Sequence, residues 1–314
     1  MIKKRIFHLV IVGILFHFII GCGKNDNISR HNTTSVTVIN EKSGEAEVDV
    51  HIADEIDFVI FIPENIDQKI TLQASSDEDY EFLCWVDMEK DKEMGKNPGL
   101  VIDDKKGMTL RAHFRKKPEK VCGDNILAVV GKGTTLGSFE PDDLKPIDTE
   151  QREGKGKKLR EQAALALNEL LNAAQKDGVN FEIKSAYRSY ETQERLFHQY
   201  KAAYGVFSSE KFSARPGQSE HQLGTAVDFG GTRFDFSPVF ENTPQGKWLV
   251  NHAFLYGFAL SYPQDSEEQT GYVYEPWHYR YIGVEQAEKW RCSGLTLIEY
   301  LRSIDFNEKT GMGN

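Results

Sequence analysis

Two segments of this sequence carry residue types that together could hold a metal and hydrolyse a bond. In Ser219-Glu220-His221-Gln222-Leu223-Gly224-Thr225-Ala226-Val227-Asp228, a histidine and an aspartate flank a glycine-containing turn that leads into an apolar strand. Further along, Tyr274-Glu275-Pro276-Trp277-His278-Tyr279 sets a second histidine three residues beyond a glutamate, among aromatic neighbours able to exclude water. Hydrolysis on zinc needs three protein ligands of nitrogen or carboxylate type and an open position for water, whose pKa the metal lowers to about 7. The two segments together offer candidates for such a set in His221, Asp228 and His278, with Glu275 as a further carboxylate close to the second histidine. Taken singly the residues say less: His221 could be a hydrogen-bonded loop histidine, and Asp228 a turn or cap residue. A carboxylate entering the apolar Val227-Asp228-Phe229 strand nevertheless needs a strong partner to offset its desolvation, and a metal is one. His198 and His252 lie on helical stretches without such company and read as packing or surface residues.

The elements that must position these residues are legible around them. From Lys158 to Lys176, Leu159, Ala163, Ala166, Leu167, Leu170, Leu171 and Ala174 recur at helical spacing, with Gly178 placed to end the helix. Phe181-Glu182-Ile183 reads as a strand, and Ser189 caps a helix over Glu191 to Tyr204 that packs through Leu196, Phe197 and Tyr200. Another helix opens at Thr243-Pro244, hydroxyl capping and proline first, and is expected to bury Trp248, Leu249 and Leu255. Asn125 to Val130 suggests a strand opening this domain, and the mixture predicts an α+β fold, an antiparallel sheet with flanking helices. Pro118 and the charged stretch from Arg115 to Lys120 mark its boundary. Before that, residues 35-117 alternate β-branched and aromatic runs with turn residues, as in Phe58-Val59-Ile60-Phe61-Ile62, and read as a small all-β module. The runs Ile70 to Ala74, Tyr80 to Trp85 and Met108 to Phe114 resemble the β-rich repeat modules of bacterial surface proteins, which implies a spacer or adhesive unit. His51 and His113 are expected on its surface.

The start of the chain sets its compartment. Lys3, Lys4 and Arg5 precede an apolar run from Leu9 to Ile20 that is short for the roughly 20 apolar residues of a membrane span, the pattern of an export signal. Ile19-Ile20-Gly21-Cys22 resembles a bacterial lipobox, so residues 1-21 are expected to be a signal peptide, Cys22 the lipidated first residue, and residues 22-34 a polar tether. The protein is then expected to be extracytoplasmic and held to the cell membrane; an uncleaved membrane anchor or an ordinary secretory signal, the alternatives, would equally place the bulk of the chain outside the cytoplasm. A formal charge of -10 argues against nucleic acid, which demands a concentrated basic face. The four cysteines lack C-x-x-C spacing, so thiols are not the metal ligands. With Cys22 on the lipid, Cys84 reads as a buried thiol, and Cys122 and Cys292 could pair in an oxidising compartment.

Ser185-Ala186-Tyr187-Arg188-Ser189, Ser213-Ala214-Arg215-Pro216-Gly217, the Ser219-to-Asp228 run and Glu275-Pro276-Trp277-His278, in that order and spacing, resemble the VanY-type D-alanyl-D-alanine carboxypeptidases. The resemblance spans roughly residues 121 to 303, in a domain set at 121-305. It implies one zinc ion on His221, Asp228 and His278, and Glu275 as general base. It further implies that Arg188 faces the substrate, where a guanidinium fork suits a terminal carboxylate or a developing oxyanion. Arg188 could instead form a structural ion pair, and Arg215 serves either loop fixing or substrate contact. Gln193, Ser219 and Trp277 are expected as further substrate contacts, Trp277 also drying the base. The implied activity is removal of the terminal D-alanine from peptidoglycan stem peptides by a monomeric enzyme. L,D-carboxypeptidase or endopeptidase specificity on the same fold, and a non-catalytic zinc-stabilised wall-binding lipoprotein, stay open.

Overall fold

Alternating burial marks the strands at residues 70–75 and 108–116, on which the first half of the chain is organised. The computed structural model describes residues 34–40, 49–52, 57–64, 69–103, 107–147 and 156–310. The expected export signal, Cys22 and all but the last residue of the tether lie outside these, as does the side chain of His51. Strands β1 (Ser35–Asn40), β2 (Asp49–Ile52), β3 (Phe58–Ile62), β4 (Ile70–Ser75), β5 (Tyr80–Asp87), β6 (Lys92–Gly95), β7 (Gly99–Ile102) and β8 (Met108–Lys116) form two antiparallel sheets. Their orders are β1-β4-β7 and β2-β3-β8-β5-β6. Every second residue of β4 (Ile70, Leu72, Ala74) and of β8 (Leu110, Ala112, Phe114) is buried, and these meet Ile60, Ile62, Trp85 and Ile102 in one core between the sheets.

The rest of the chain is mixed. Short strands β9 (Glu119–Lys120) and β10 (Thr134–Thr135) pair in parallel, and β11 (Leu144–Pro146) and β12 (Lys158–Arg160) antiparallel. There follow α1 (Glu161–Lys176), β13 (Glu182–Ser185), α2 (Tyr190–Tyr204), α3 (Val206–Glu210), a 3-10 turn (Glu220–Leu223), β14 (Ala226–Gly230), α4 (Pro244–His252) and β15 (Phe258–Leu260). The described chain closes with α5 (Glu267–Thr270), β16 (His278–Tyr281), α6 (Val284–Ser293) and α7 (Leu297–Thr310).

The antiparallel sheet β13-β14-β16-β15 has two unlike faces. Ile183, Val227, Phe229, Phe258 and Tyr279 point to one side, against Leu167, Leu170 and Leu171 of α1 and Trp248 and Leu249 of α4. Because side chains alternate along a strand, Asp228, His278 and Arg280 must point to the other. Ser189 caps α2 by accepting from Thr192 N, and Thr243 caps α4 by accepting from Gly246 N, with Pro244 in the first turn.

Several expectations require correction. Asn125 to Val130 is not a strand, because two of its carbonyls, Ile126 and Ala128, accept hydrogen bonds from the Arg280 guanidinium in place of a strand neighbour. The helix from Lys158 starts only at Glu161, since Lys158–Arg160 pairs with β11. Leu255 is exposed, lying on the 3-10 turn that follows α4. His113 is not a surface residue: its Nδ1 lies 2.9 Å from Asp57 and its Nε2 3.5 Å from Glu210 of α3. Cys122 and Cys292 are free, exposed thiols, whereas Cys84 is buried and burial pushes its thiol up to about 12.

Between the 3-10 turn and β14, Gly224 adopts a left-handed conformation (φ +79°), and a Cβ there would meet Arg160 Cγ at 2.9 Å. Only glycine takes that conformation freely, and this turn fixes the spacing from His221 to Asp228. Gly224→Ala is therefore expected to lower stability by about 1 kcal/mol or more, measured by denaturant unfolding. An unchanged midpoint would show that the turn relaxes without cost.

Candidate active site

Register brings the site together. Asp228 on β14 pairs directly with His278 on β16, and the 3-10 turn before β14 swings His221 over the same face. One ligand atom from each of these three buried residues lies within 4.8 Å of the others. The ring of His221 stands edge-on to that of His278 at 4.9 Å between centroids.

Each histidine is oriented by a partner on its far nitrogen. His221 Nδ1 donates to the Ala186 carbonyl at 2.8 Å, which leaves Nε2, 3.1 Å from Asp228 Oδ2, facing the centre. His278 Nε2 lies 3.0 Å from Glu220 Oε2, and its Nδ1 lies 3.0 Å from Asp228 Oδ1 and 3.8 Å from Glu275 Oε2. Glu220 in turn accepts from Arg280 Nη1 at 2.9 Å, and Arg280 Nη2 donates to Ile126 O at 2.8 Å and Ala128 O at 2.7 Å. A carboxylate on the outer nitrogen of a ligating histidine fixes the ring and raises its basicity, a recurring support of zinc sites. Sequence reading missed Glu220 and Arg280. The available signal was charge where burial was expected: Glu220 beside His221, and Arg280 within the strand His278-Tyr279-Arg280-Tyr281.

Protonation follows from these contacts. Burial by itself would lower His278, but its bonds to Asp228 and Glu220 and their charges raise it to about 10. Burial works against Glu220 as well, yet the Arg280 charge and His278 bring it to about 2. Asp228 is held well below the carboxylate range by both histidines despite its burial. Glu275 goes the other way: burial raises it to about 8, His278 opposing and the Asp228 charge adding. A carboxyl titrating near neutrality suits an acid–base catalyst. Two imidazole nitrogens and one carboxylate around a common centre are the donor set of catalytic zinc, so His221, Asp228 and His278 fit that ion.

The expected substrate contacts divide. Arg188 sits beside the centre, its Nη2 4.0 Å from Asp228 Oδ2 and 2.8 Å from Ser185 Oγ. Gln193 is buried; its Oε1 accepts from Arg188 Nη1 at 2.7 Å while its Nε2 donates to Ala214 O at 2.6 Å. It holds Arg188. Ser219 is buried immediately before the 3-10 turn and makes no side-chain cap there. Trp277 is a correction: in the turn just before β16 it packs in the hydrophobic core with Phe229 and Tyr279, its ring 5.8 Å from that of Phe236, and its carbonyl accepts from Phe229 N. The aromatic wall on the metal face is Tyr262, whose ring lies 4.8 Å from that of His278 and whose carbonyl accepts from Glu275 N at 3.1 Å.

Known proteins resemble this chain in sequence and fold. The VanY family model, described as D-alanyl-D-alanine carboxypeptidase, matches residues 156–284. The chain is 37% identical over 187 residues to "Putative carboxypeptidase YodJ" of Bacillus subtilis, covering 58% of this chain and 68% of that protein. It is 38% identical over 148 residues to a D-alanyl-D-alanine carboxypeptidase of Enterococcus faecalis, covering 44% of this chain and 53% of the relative. Among solved structures, the LD-carboxypeptidase LdcB superposes with a TM-score of 0.55 at 38% identity, over 59% of this chain and 90% of its own.

Because Asp228 and Glu220 raise His278 to about 10, metal binding near neutral pH is expected to release its proton. Zinc titrated calorimetrically in buffers of different ionisation enthalpy should release at least about one proton, with affinity climbing as pH rises. Binding without proton release would mean that His278 is already neutral. Glu220→Gln, which strips the charge partner of both His278 and Arg280, should weaken zinc binding about 10- to 100-fold. Undiminished affinity would show that the outer carboxylate does not orient the ligand.

Proposed function

Because the chain belongs to the VanY family of D-alanyl-D-alanine carboxypeptidases, we propose that it removes the terminal D-alanine of peptidoglycan stem peptides, using one zinc ion on His221, Asp228 and His278. The observation that carries this reading is the convergence of those three residues within 4.8 Å, with the Glu275 carboxylate 3.8 Å from His278. Bound zinc supplies Lewis acidity, polarising a carbonyl and lowering the pKa of water. Glu275 takes a proton from the attacking water and returns it to the nitrogen of the departing D-alanine. Burial, which raises Glu275 to about 8, makes the pocket in which that transfer occurs a dry one. Arg188, its fork held by Gln193 and Ser185, binds the substrate's terminal carboxylate or steadies the oxyanion. His221 and His278 keep their metal-facing nitrogens aimed through Ala186 O and Glu220.

L,D cleavage of the shortened stem is the second reading, favoured by the likeness to LdcB, which is named an LD-carboxypeptidase. The peptidase unit is residues 121-305, joined to a β-rich module at 35-117. A monomer tethered outside the cytoplasm by a lipid on Cys22 would place it at its polymer, a reading supported by the basic, apolar and Gly21-Cys22 pattern at the start of the chain. Among the described residues, no helix is long and apolar enough to cross a membrane.

The test is release of free D-alanine from pentapeptide and tetrapeptide stems, with and without chelator. Chelator-sensitive release from the pentapeptide is expected; release from the tetrapeptide alone would move the assignment to L,D cleavage. Glu275→Gln should keep its zinc and lose all but a trace of turnover, a fall of roughly 100-fold or more. Full activity in that variant would remove Glu275 from the chemistry.

A further inference from the structure

Among the described residues, contacts between the β-sandwich and the peptidase gather on residues 201–217, from the end of α2 toward the 3-10 turn. Asp91, in the turn between β5 and β6, is central. Its carboxylate accepts from Phe207 N at 3.0 Å, Ser208 N at 3.1 Å and Ser208 Oγ at 3.0 Å, and its carbonyl accepts from Val206 N at 3.1 Å. It thereby caps α3 from another part of the chain, a task that helices ordinarily give to their own preceding residue. Asp91 is itself in the left-handed region (φ +45°), and Gly205 opposite it has φ +93° with no room for a side chain, since a Cβ would meet Asp91 at 2.5 Å. Strained backbone on one side and an obligatory glycine on the other mark a fitted contact.

Other contacts surround it. Val206 and Phe207 pack on Leu83, Cys84 and Val86 of β5, and the Arg111 guanidinium lies 4.6 Å from the Phe207 ring centroid. Glu93 pairs with Lys201 of α2, and His113 reaches Glu210 at 3.5 Å, whose other oxygen binds Arg215. From α3 the segment continues to Ala214, whose carbonyl holds Gln193, and Gln193 holds Arg188 beside the metal-ligand cluster.

We propose that the β-sandwich is a positioning part of the catalytic unit: Asp91, through α3, Ala214 and Gln193, sets the Arg188 guanidinium that grips the substrate's terminal carboxylate, a ground-state contact read in KM. This inference rests on the carboxypeptidase reading for its kinetic consequence and on geometry alone for its structural one. In the full chain, Asp91→Ala should raise KM roughly 3- to 30-fold, the range that loss of a helix cap implies, with kcat and zinc content little changed. Asp91→Asn, which keeps a capping oxygen and tolerates the left-handed backbone, should recover most of the loss. In a Gln193→Ala background, where the relay is already cut, Asp91→Ala should add nothing further. Amide hydrogen exchange should quicken in residues 205–217 and 186–193 of Asp91→Ala and stay unchanged in α1. Unchanged KM, a fall in kcat alone, an equal Asp91 effect in both backgrounds, or unaltered exchange at 186–193 would each overturn the brace. Absence of D-alanine release by the unaltered protein would sink the carboxypeptidase reading, and the exchange measurement still decides the brace.

Discussion

A fully buried guanidinium governs much of this molecule. Arg280 has no access to solvent, and a charge so placed must be paired and hydrogen-bonded or it would be prohibitively destabilising. Glu220 supplies the opposite charge on Nη1, and the carbonyls of Ile126 and Ala128 accept from Nη2, while Nε has no hydrogen-bond partner among the described residues. Ionised and fixed in that way, Glu220 can accept from the outer nitrogen of His278, so the inner nitrogen points toward Asp228. The chain of contacts thus ties the loop at 126–128 to the metal-facing side of the sheet. It also explains why that loop is not a strand, since its carbonyls serve the arginine.

The sheet separates two incompatible environments within the thickness of one strand. Phe229 and Tyr279 enter the core on α1 and α4, while their neighbours Asp228 and His278 carry polar chemistry on the reverse. Trp277 goes with the core from the turn before β16, and the wall that dries the site comes from Tyr262 instead. Two carboxylates in the same pocket consequently differ in kind. Asp228, bonded to both histidines, stays ionised, whereas Glu275 has no comparable hydrogen-bonded partner among the described residues and is pushed to about 8 by burial. Environments that drive neighbouring titratable groups apart are how one pocket holds a ligand and a proton carrier side by side.

The sandwich has a core of its own between its sheets, yet it does not end at its own surface. Asp91 and His113 lie on it and complete hydrogen bonding or charge pairing of the peptidase segment that bears Arg215. A short helix such as α3 is marginal without a cap and a packed face, and here both are supplied by residues more than ninety positions earlier in the chain.

The sequence by itself determined what depends on local order: the capped helices at Ser189 and Thr243, the strand alternation, and the two segments whose chemistry is written in neighbouring residue types. His221, Asp228, Glu275 and His278 could be singled out because ligand and base chemistry restricts them to a few side chains at close spacing. Tertiary structure alone decided what depends on which distant groups share a buried space. Glu220 and Arg280 could not be matched from sequence, for a charged residue in a strand does not state its partner until the fold excludes water from both. His113 was expected at the surface because its partners, Asp57 and Glu210, are assembled only when the sandwich meets α3. Trp277 differs for a simpler reason: its neighbourhood in sequence is catalytic, but the turn before β16 sends its side chain into the hydrophobic core.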